Sequence, residues 1–136
     1  MDPAIEQALA ITPASDAAER TVDITTIGAR TGRPRRIEVW FYRVDGQVYL
    51  STQPARRSWY ANLLANPQFT FHLKHGIRAD LAATGTPVRD VQLRSHVFAS
   101  IIDDLNQPSN PAGLYQPVEP LSAWLAGTPL VRVNFA

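Results

Sequence analysis

The chain contains no cysteine. That excludes disulfides, thiolate metal sites and cysteine nucleophiles, and sets the expectation of a reducing, cytoplasmic location. No apolar run reaches membrane-spanning length, so no transmembrane helix is expected. The stretch from Met1 to Arg20 is acidic early and lacks a basic segment followed by an apolar one, which argues against a secretory signal. Charge of one sign is also missing: thirteen Lys+Arg face twelve Asp+Glu, a formal net charge of +1. So balanced a chain has no global field steering it to nucleic acid or anionic lipid, and neither is an expected partner. There is no P-loop, no dinucleotide-binding glycine fingerprint and no nucleophile elbow with Ser-His-Asp partners.

What is present is ordinary globular composition, 45% hydrophobic and 18% charged over 136 residues. That length predicts a single domain across 1–136 with one core, its first twenty residues a helical or extended lead-in. Asp2 and Pro3 are placed to start a helix through Ala4 to Ile11. The β-branched run Thr21 to Ile27 predicts a strand. Arg35 to Arg43 alternates, with Ile37, Val39 and Phe41 on one face; Asp45-Gly46 is a hairpin turn, and Gln47 to Thr52 returns. A short helix is expected over Ser58 to Ala65, stopped by Asn66-Pro67. A second hairpin turns at His75-Gly76. Asp90 caps a helix from Val91 to Leu105 whose apolar residues recur at helical spacing. A brief helix, Leu121 to Ala126, precedes a last strand, Leu130 to Phe135. Mostly antiparallel strands with few helices imply α+β, with the sheet curled into a small barrel.

The most unusual stretch is TTIGARTGRPRRIEVWF, Thr25 to Phe41. Arg30, Arg33, Arg35 and Arg36 crowd the root of a hairpin with no acid among them. Arg56 and Arg57 stand at the start of the short helix, where the helix dipole disfavours cations. A docked anion would reverse that penalty, because helix amides and guanidinium groups would converge on it. The hairpin is expected to bring Arg35 and Arg36 near Ser51 and Thr52, with the helix beginning directly after. That end of the sheet is the candidate anion site; the bland alternative is a set of solvated loop arginines.

The runs Thr25 to Arg35 and Trp59 to Pro67 (WYANLLANP) resemble the deazaflavin-dependent nitroreductase family of F420- and flavin-dependent oxidoreductases, over roughly Val22 to Val88. The resemblance implies an FMN-binding-like split β-barrel, usually homodimeric, that holds F420 or a related flavin. It carries over Arg30, Thr31, Gly32, Arg33, Arg35 and Arg36 as ligands of the cofactor's phosphate and acidic tail. Ser51, Thr52 and the helix residues Trp59, Tyr60, Asn62 and Leu63 would lie beside tail and ring. The compact turn with Arg56 and Arg57 is similar to that of the pyridoxamine-phosphate-oxidase relatives, which keeps FMN as the alternative cofactor.

The implied function is hydride transfer from reduced F420 to a small planar acceptor: a quinone, nitroaromatic or enone. The cofactor supplies the chemistry and the protein supplies binding and orientation. A non-catalytic barrel holding a flavin, haem or acidic metabolite is the alternative of a different class, since no residue is distinctly catalytic. Tyr60 and Tyr115 could donate a proton, although packing roles suit both, and Trp40 and Trp59 could wall a planar ring. His72 and His75 should face different directions with no carboxylate joining them, so no metal site is expected. Asp103 and Asp104 are expected to be solvated.

Overall fold

The computed structural model describes residues 1–52 and 58–136. Two short helices, α1 (Pro3–Leu9) and α2 (Ala17–Arg20), lead into strand β1 (Thr21–Ile27). Then follow β2 (Pro34–Val44), β3 (Gln47–Ser51), α3 (Ser58–Ala65), β4 (Gln68–Leu73), β5 (Ala79–Pro87), α4 (Val91–Leu105), α5 (Leu121–Gly127) and β6 (Leu130–Phe135). All the strand pairs are antiparallel, and the sheet closes on itself in the order β1-β2-β3-β6-β5-β4. This is the α+β barrel that the alternation implies. No helix among the described residues is long and apolar enough to cross a membrane.

Local chemistry explains the boundaries. Asp2 accepts the Ala4 N–H and Pro3 occupies the first helical position, so α1 starts where its sequence dictates. Asp90 does the same for α4 by accepting the Leu93 N–H. At the β2–β3 turn both Asp45 and Gly46 take positive φ, 52° and 76°, the backbone twist a tight hairpin needs. α2 had no sequence expectation of its own; a capping box forms it, Asp16 accepting from the Glu19 N–H while the Glu19 carboxylate accepts from the Asp16 N–H.

Two apolar cores result. One fills the barrel with Val22, Ile24, Val39, Phe41, Leu50, Phe71 and Val133, closed at one end by Leu9 of α1 and at the other by Trp59 and Leu63 of α3. The second lies between the outer face of the sheet and α4 and α5, where Tyr42, Tyr49 and Leu130 meet Val97, Phe98, Ile101 and Trp124. Burial pushes the Tyr42 phenol well above its usual range, so it packs as a neutral ring.

Among the buried polar residues described is an arginine, Arg20, which is 0% exposed. Its Nη1 and Nη2 donate to the Asp104 carboxylate at 2.7 and 3.0 Å, and its Nε donates to the Ser15 carbonyl at 3.0 Å. Asp104 is therefore not the solvated residue its place near a helix end implied. The carboxylate sits on the inner side of α4, where it can neutralise the arginine that ends α2.

β2 has eleven residues and β3 five, and they pair only over Phe41–Val44 and Gln47–Leu50. Residues 34–40 of β2 are thus held by β1 alone among the described strands. This overhang opens the barrel wall beside α3 and positions the site.

Candidate functional site

Pairing between β1 and β2 decides which arginines can converge. Thr26 faces Arg35 and Ile24 faces Ile37, so Arg35 and Ile37 share the inward face with the core. One residue along, Thr25 faces Arg36 and Asp23 faces Glu38 on the outer face. There the Arg36 Nε donates to Asp23 at 2.9 Å, and Lys74 bonds both Asp23 and Glu38. Burial lifts the Asp23 carboxyl, but the hydrogen bonds from Lys74 and Arg36 outweigh it and hold the group below its usual value. Arg36 therefore serves a surface ion network, not the site with Arg35. Its neighbour on that face, His72, has Nδ1 2.6 Å from Asp80 Oδ1 and Nε2 2.7 Å from Thr25 Oγ1. The expectation that no carboxylate joins this histidine fails because Asp80 is its direct cross-strand partner. Among the described residues no cluster of His, Asp or Glu could hold a metal ion.

On the inward side a cavity of about 1060 Å³ opens between loop 28–33, the overhang of β2, the start of α3 and the segment before β6. Arg30, Arg35 and Arg94 line it, and among the described residues no Asp or Glu does. No carboxylate comes within ion-pair distance of these three among the described residues. Ser58, Trp59, Tyr60 and Ala61 bring the first turn of α3 to the same wall, with amides the helix itself leaves unpaired. Ile37, Leu64 and Pro129 add apolar surface.

The loop is shaped for this. Gly32 has φ +67°, a conformation that favours glycine, and its N–H donates to Gly28 O at 2.9 Å. A Cβ on Gly28 would come within 2.6 Å of the Thr31 hydroxyl. Asn62 pins the loop to α3: its Oδ1 accepts the Ala29 N–H at 2.9 Å and its Nδ2 donates to Thr26 Oγ1 at 3.0 Å. Replacing Asn62 by Ala leaves the buried Thr26 hydroxyl and the part-buried Ala29 N–H without their partner. It should cost about 1–3 kcal/mol, read as a lowered denaturant midpoint, with ligand affinity falling as the loop loosens. A variant as stable as the parent would remove the pin.

Of the residues singled out from the sequence, Arg30, Thr31, Arg35, Trp59, Tyr60 and Asn62 come together on the cavity wall. Gly32, Arg33, Arg36, Ser51, Thr52 and Leu63 do not line it. Leu63 is core, and the Ser51 hydroxyl is spent on Pro129 O at 2.7 Å. The expected meeting of Arg35 with Ser51 and Thr52 does not occur, because the β2–β3 register ends at Phe41↔Leu50, six residues past Arg35. Arg56 and Arg57 lie outside the described residues. Tyr115 is fully exposed, and Trp40 packs against the outer core. Sequence reasoning missed Arg94 and Thr128; the only signal for Arg94 was an aromatic residue, Phe98, one helical turn later.

A family model described as F420H(2)-dependent quinone reductase matches residues 16–104, which include the loop, β2 and α3. The chain belongs to this family. As an F420H(2)-dependent quinone reductase family member it is an oxidoreductase whose cofactor is F420, which is what the Thr25–Arg35 and Trp59–Pro67 runs imply. None of the curated protein sequences matches it. Among solved structures, a conserved hypothetical protein from Mycobacterium tuberculosis is similar at 20% identity and TM-score 0.64, covering 99% of this chain and 81% of that one. A structure described as an F420-H2 dependent reductase is 18% identical with TM-score 0.55, covering 88% of this chain and 96% of that one. A protein from Listeria innocua described as a pyridoxamine 5'-phosphate oxidase is 10% identical with TM-score 0.57, covering 85% and 83%. These similarities give the family member its fold, a split barrel of the FMN-binding kind.

The residues present fit a deazaflavin with a phosphate and an acidic tail. Cations without acids suit the anions, and Ile37, Trp59 and Leu64 suit a planar ring. Two lining residues, Trp59 and Thr128, are 4% and 2% exposed, and their Nε1 and Oγ1 atoms have no hydrogen-bond partner among the described residues. Both atoms can hydrogen-bond a bound molecule, although Thr52 Oγ1 and Arg132 Nε, which do not line the cavity, are left in the same state.

Proposed function

We propose that this cavity binds F420 for the reduction of a quinone. Loop 28–33, Arg30, Arg35 and the first turn of α3 hold the phosphate, and Trp59, Ile37 and Leu64 flank the ring. The observation that carries this reading is a cavity lined, among the described residues, by three arginines and no carboxylate beside apolar walls. F420H2, when bound, supplies a hydride, which with one proton converts a quinone to its hydroquinone. The chain contributes position: guanidinium groups and amides fix the anionic end, and apolar side chains exclude water from the ring face. Tyr60 lines the cavity and brings a phenol that can pass the proton. Ile37 and Leu64 are exposed although apolar, and a second copy of the chain covering them in a cytoplasmic homodimer would close the cavity.

Quenching of tryptophan fluorescence on titration with F420 and FMN tests the reading. F420 should bind at micromolar concentration and more tightly than FMN, and the bound reduced form should be reoxidised on adding a small quinone. Binding to neither cofactor would sink it; binding without reoxidation would leave a sequestering barrel instead. Gel filtration of the same samples checks the dimer, which a monomer at micromolar concentration would exclude.

A further inference from the structure

We propose that Arg94, on α4, is a second anion-recognising residue of the cavity, taking a carboxylate of the cofactor's acidic tail on the wall it forms with Thr128, apart from the loop and strand that carry Arg30 and Arg35. The inference rests on the F420 reading of the preceding section and adds a selectivity element to it.

Arg30 and Arg35 are exposed side chains at the hairpin root, with no side-chain hydrogen bond among the described residues. Arg94 is different. Its Nη1 donates to Val88 O at 3.2 Å and its Nη2 to Thr128 O at 3.0 Å, and its guanidinium lies 5.0 Å from the centre of the Phe98 ring. The side chain is thereby fixed before any ligand arrives, so binding to it forfeits little rotamer entropy. All its protein acceptors are neutral carbonyls, and no carboxylate neutralises it among the described residues. Two of five N–H donors are used, which leaves three on a group that lines the cavity. The buried Thr128 hydroxyl, without a partner among the described residues, belongs to the same wall.

A ligand with a single anionic group can satisfy one wall of this cavity. One carrying a phosphate and, beyond it, carboxylates can satisfy both. FMN is of the first kind and F420 of the second, so Arg94 makes the cavity prefer the longer molecule.

The test compares Arg94→Ala with the unaltered chain by tryptophan quenching, using F420 with its acidic tail, the tail-less deazaflavin phosphate and FMN. The unaltered chain should bind F420 more tightly than the tail-less phosphate. Arg94→Ala should weaken F420 about tenfold and leave the tail-less phosphate and FMN within about twofold, erasing the preference. Should Arg94→Ala not fold, Arg94→Gln is read in the same way, since its amide can still donate to Val88 O or Thr128 O without the charge. Equal loss for all three ligands makes Arg94 a structural brace and overturns the inference, as does no loss for F420. Those results leave the cofactor assignment standing. Failure of the unaltered chain to bind any of the three overturns both.

Discussion

Reversing the charge of Arg30 and Arg35 together, to Glu, should lower F420 affinity at least a hundredfold and leave the fold intact. Each arginine can give the cofactor phosphate a charge-assisted hydrogen bond, worth about 1.5–3 kcal/mol when the charge is partly shielded from water. Losing two such contacts already corresponds to about a hundredfold in affinity, and two carboxylates facing a phosphate add repulsion. Neither side chain has an ion-pair partner among the described residues, and both are exposed, so folding should lose no more than about 0.5 kcal/mol. The informative measurement is affinity alongside thermal midpoint. Unchanged affinity with an unchanged midpoint would mean the cavity does not hold the anion.

Removing the Asp104 carboxylate should have the largest effect on stability. Arg20 is wholly enclosed, with its Nη1 and Nη2 both on that carboxylate, and Gln107 Nε2 ties Asp104 Oδ1 to the Pro13 carbonyl at 3.1 and 2.7 Å. Asp104→Ala strands a buried cation, a loss of about 3–5 kcal/mol, toward the lower end here because the Asp104 side chain is 19% exposed and water can reach it. For a chain of this size that is a fall in thermal midpoint of roughly 10 °C or more. The double variant Arg20→Met, Asp104→Leu removes the charge with its partner and should recover most of the loss. A single variant that melts within about 2 °C of the parent would show that water and the carbonyls of Pro13 and Ser15 satisfy Arg20 without Asp104.

These two predictions draw on different layers of information. Arg30 and Arg35 could be singled out from the sequence because four arginines within seven residues, broken by Gly32 and Pro34 and with no acid among them, leave a local signature. The strands and helices were equally accessible: alternation marks β2, Asp90 marks the start of α4, and Asp45-Gly46 marks the turn. Pairings between distant residues were not. Arg20 and Asp104 are 84 positions apart, and nothing near either one names the other. Which of Arg35 and Arg36 faces the cavity follows from the pairing with β1, and the hairpin turn sets register only as far as β3 reaches. The expected neighbourhood of Arg35 and Ser51 failed for that reason: strand length past the partner depends on how the barrel closes. Arg94 was silent because an arginine on an amphipathic helix looks solvated until the elements behind it are placed.

The overhang of β2 has a consequence beyond the site it shapes. Seven residues of bare backbone ribbon, free along one side among the described strands, could template the stacking of copies into insoluble fibres. Pro34 has no amide to offer at the end of that ribbon, while Arg35, Arg36 and Glu38 set charges on both of its faces. Guanidinium groups that attract a small anion would thus also keep the protein in solution, and trading them for apolar residues would risk precipitation before any loss of chemistry could be measured.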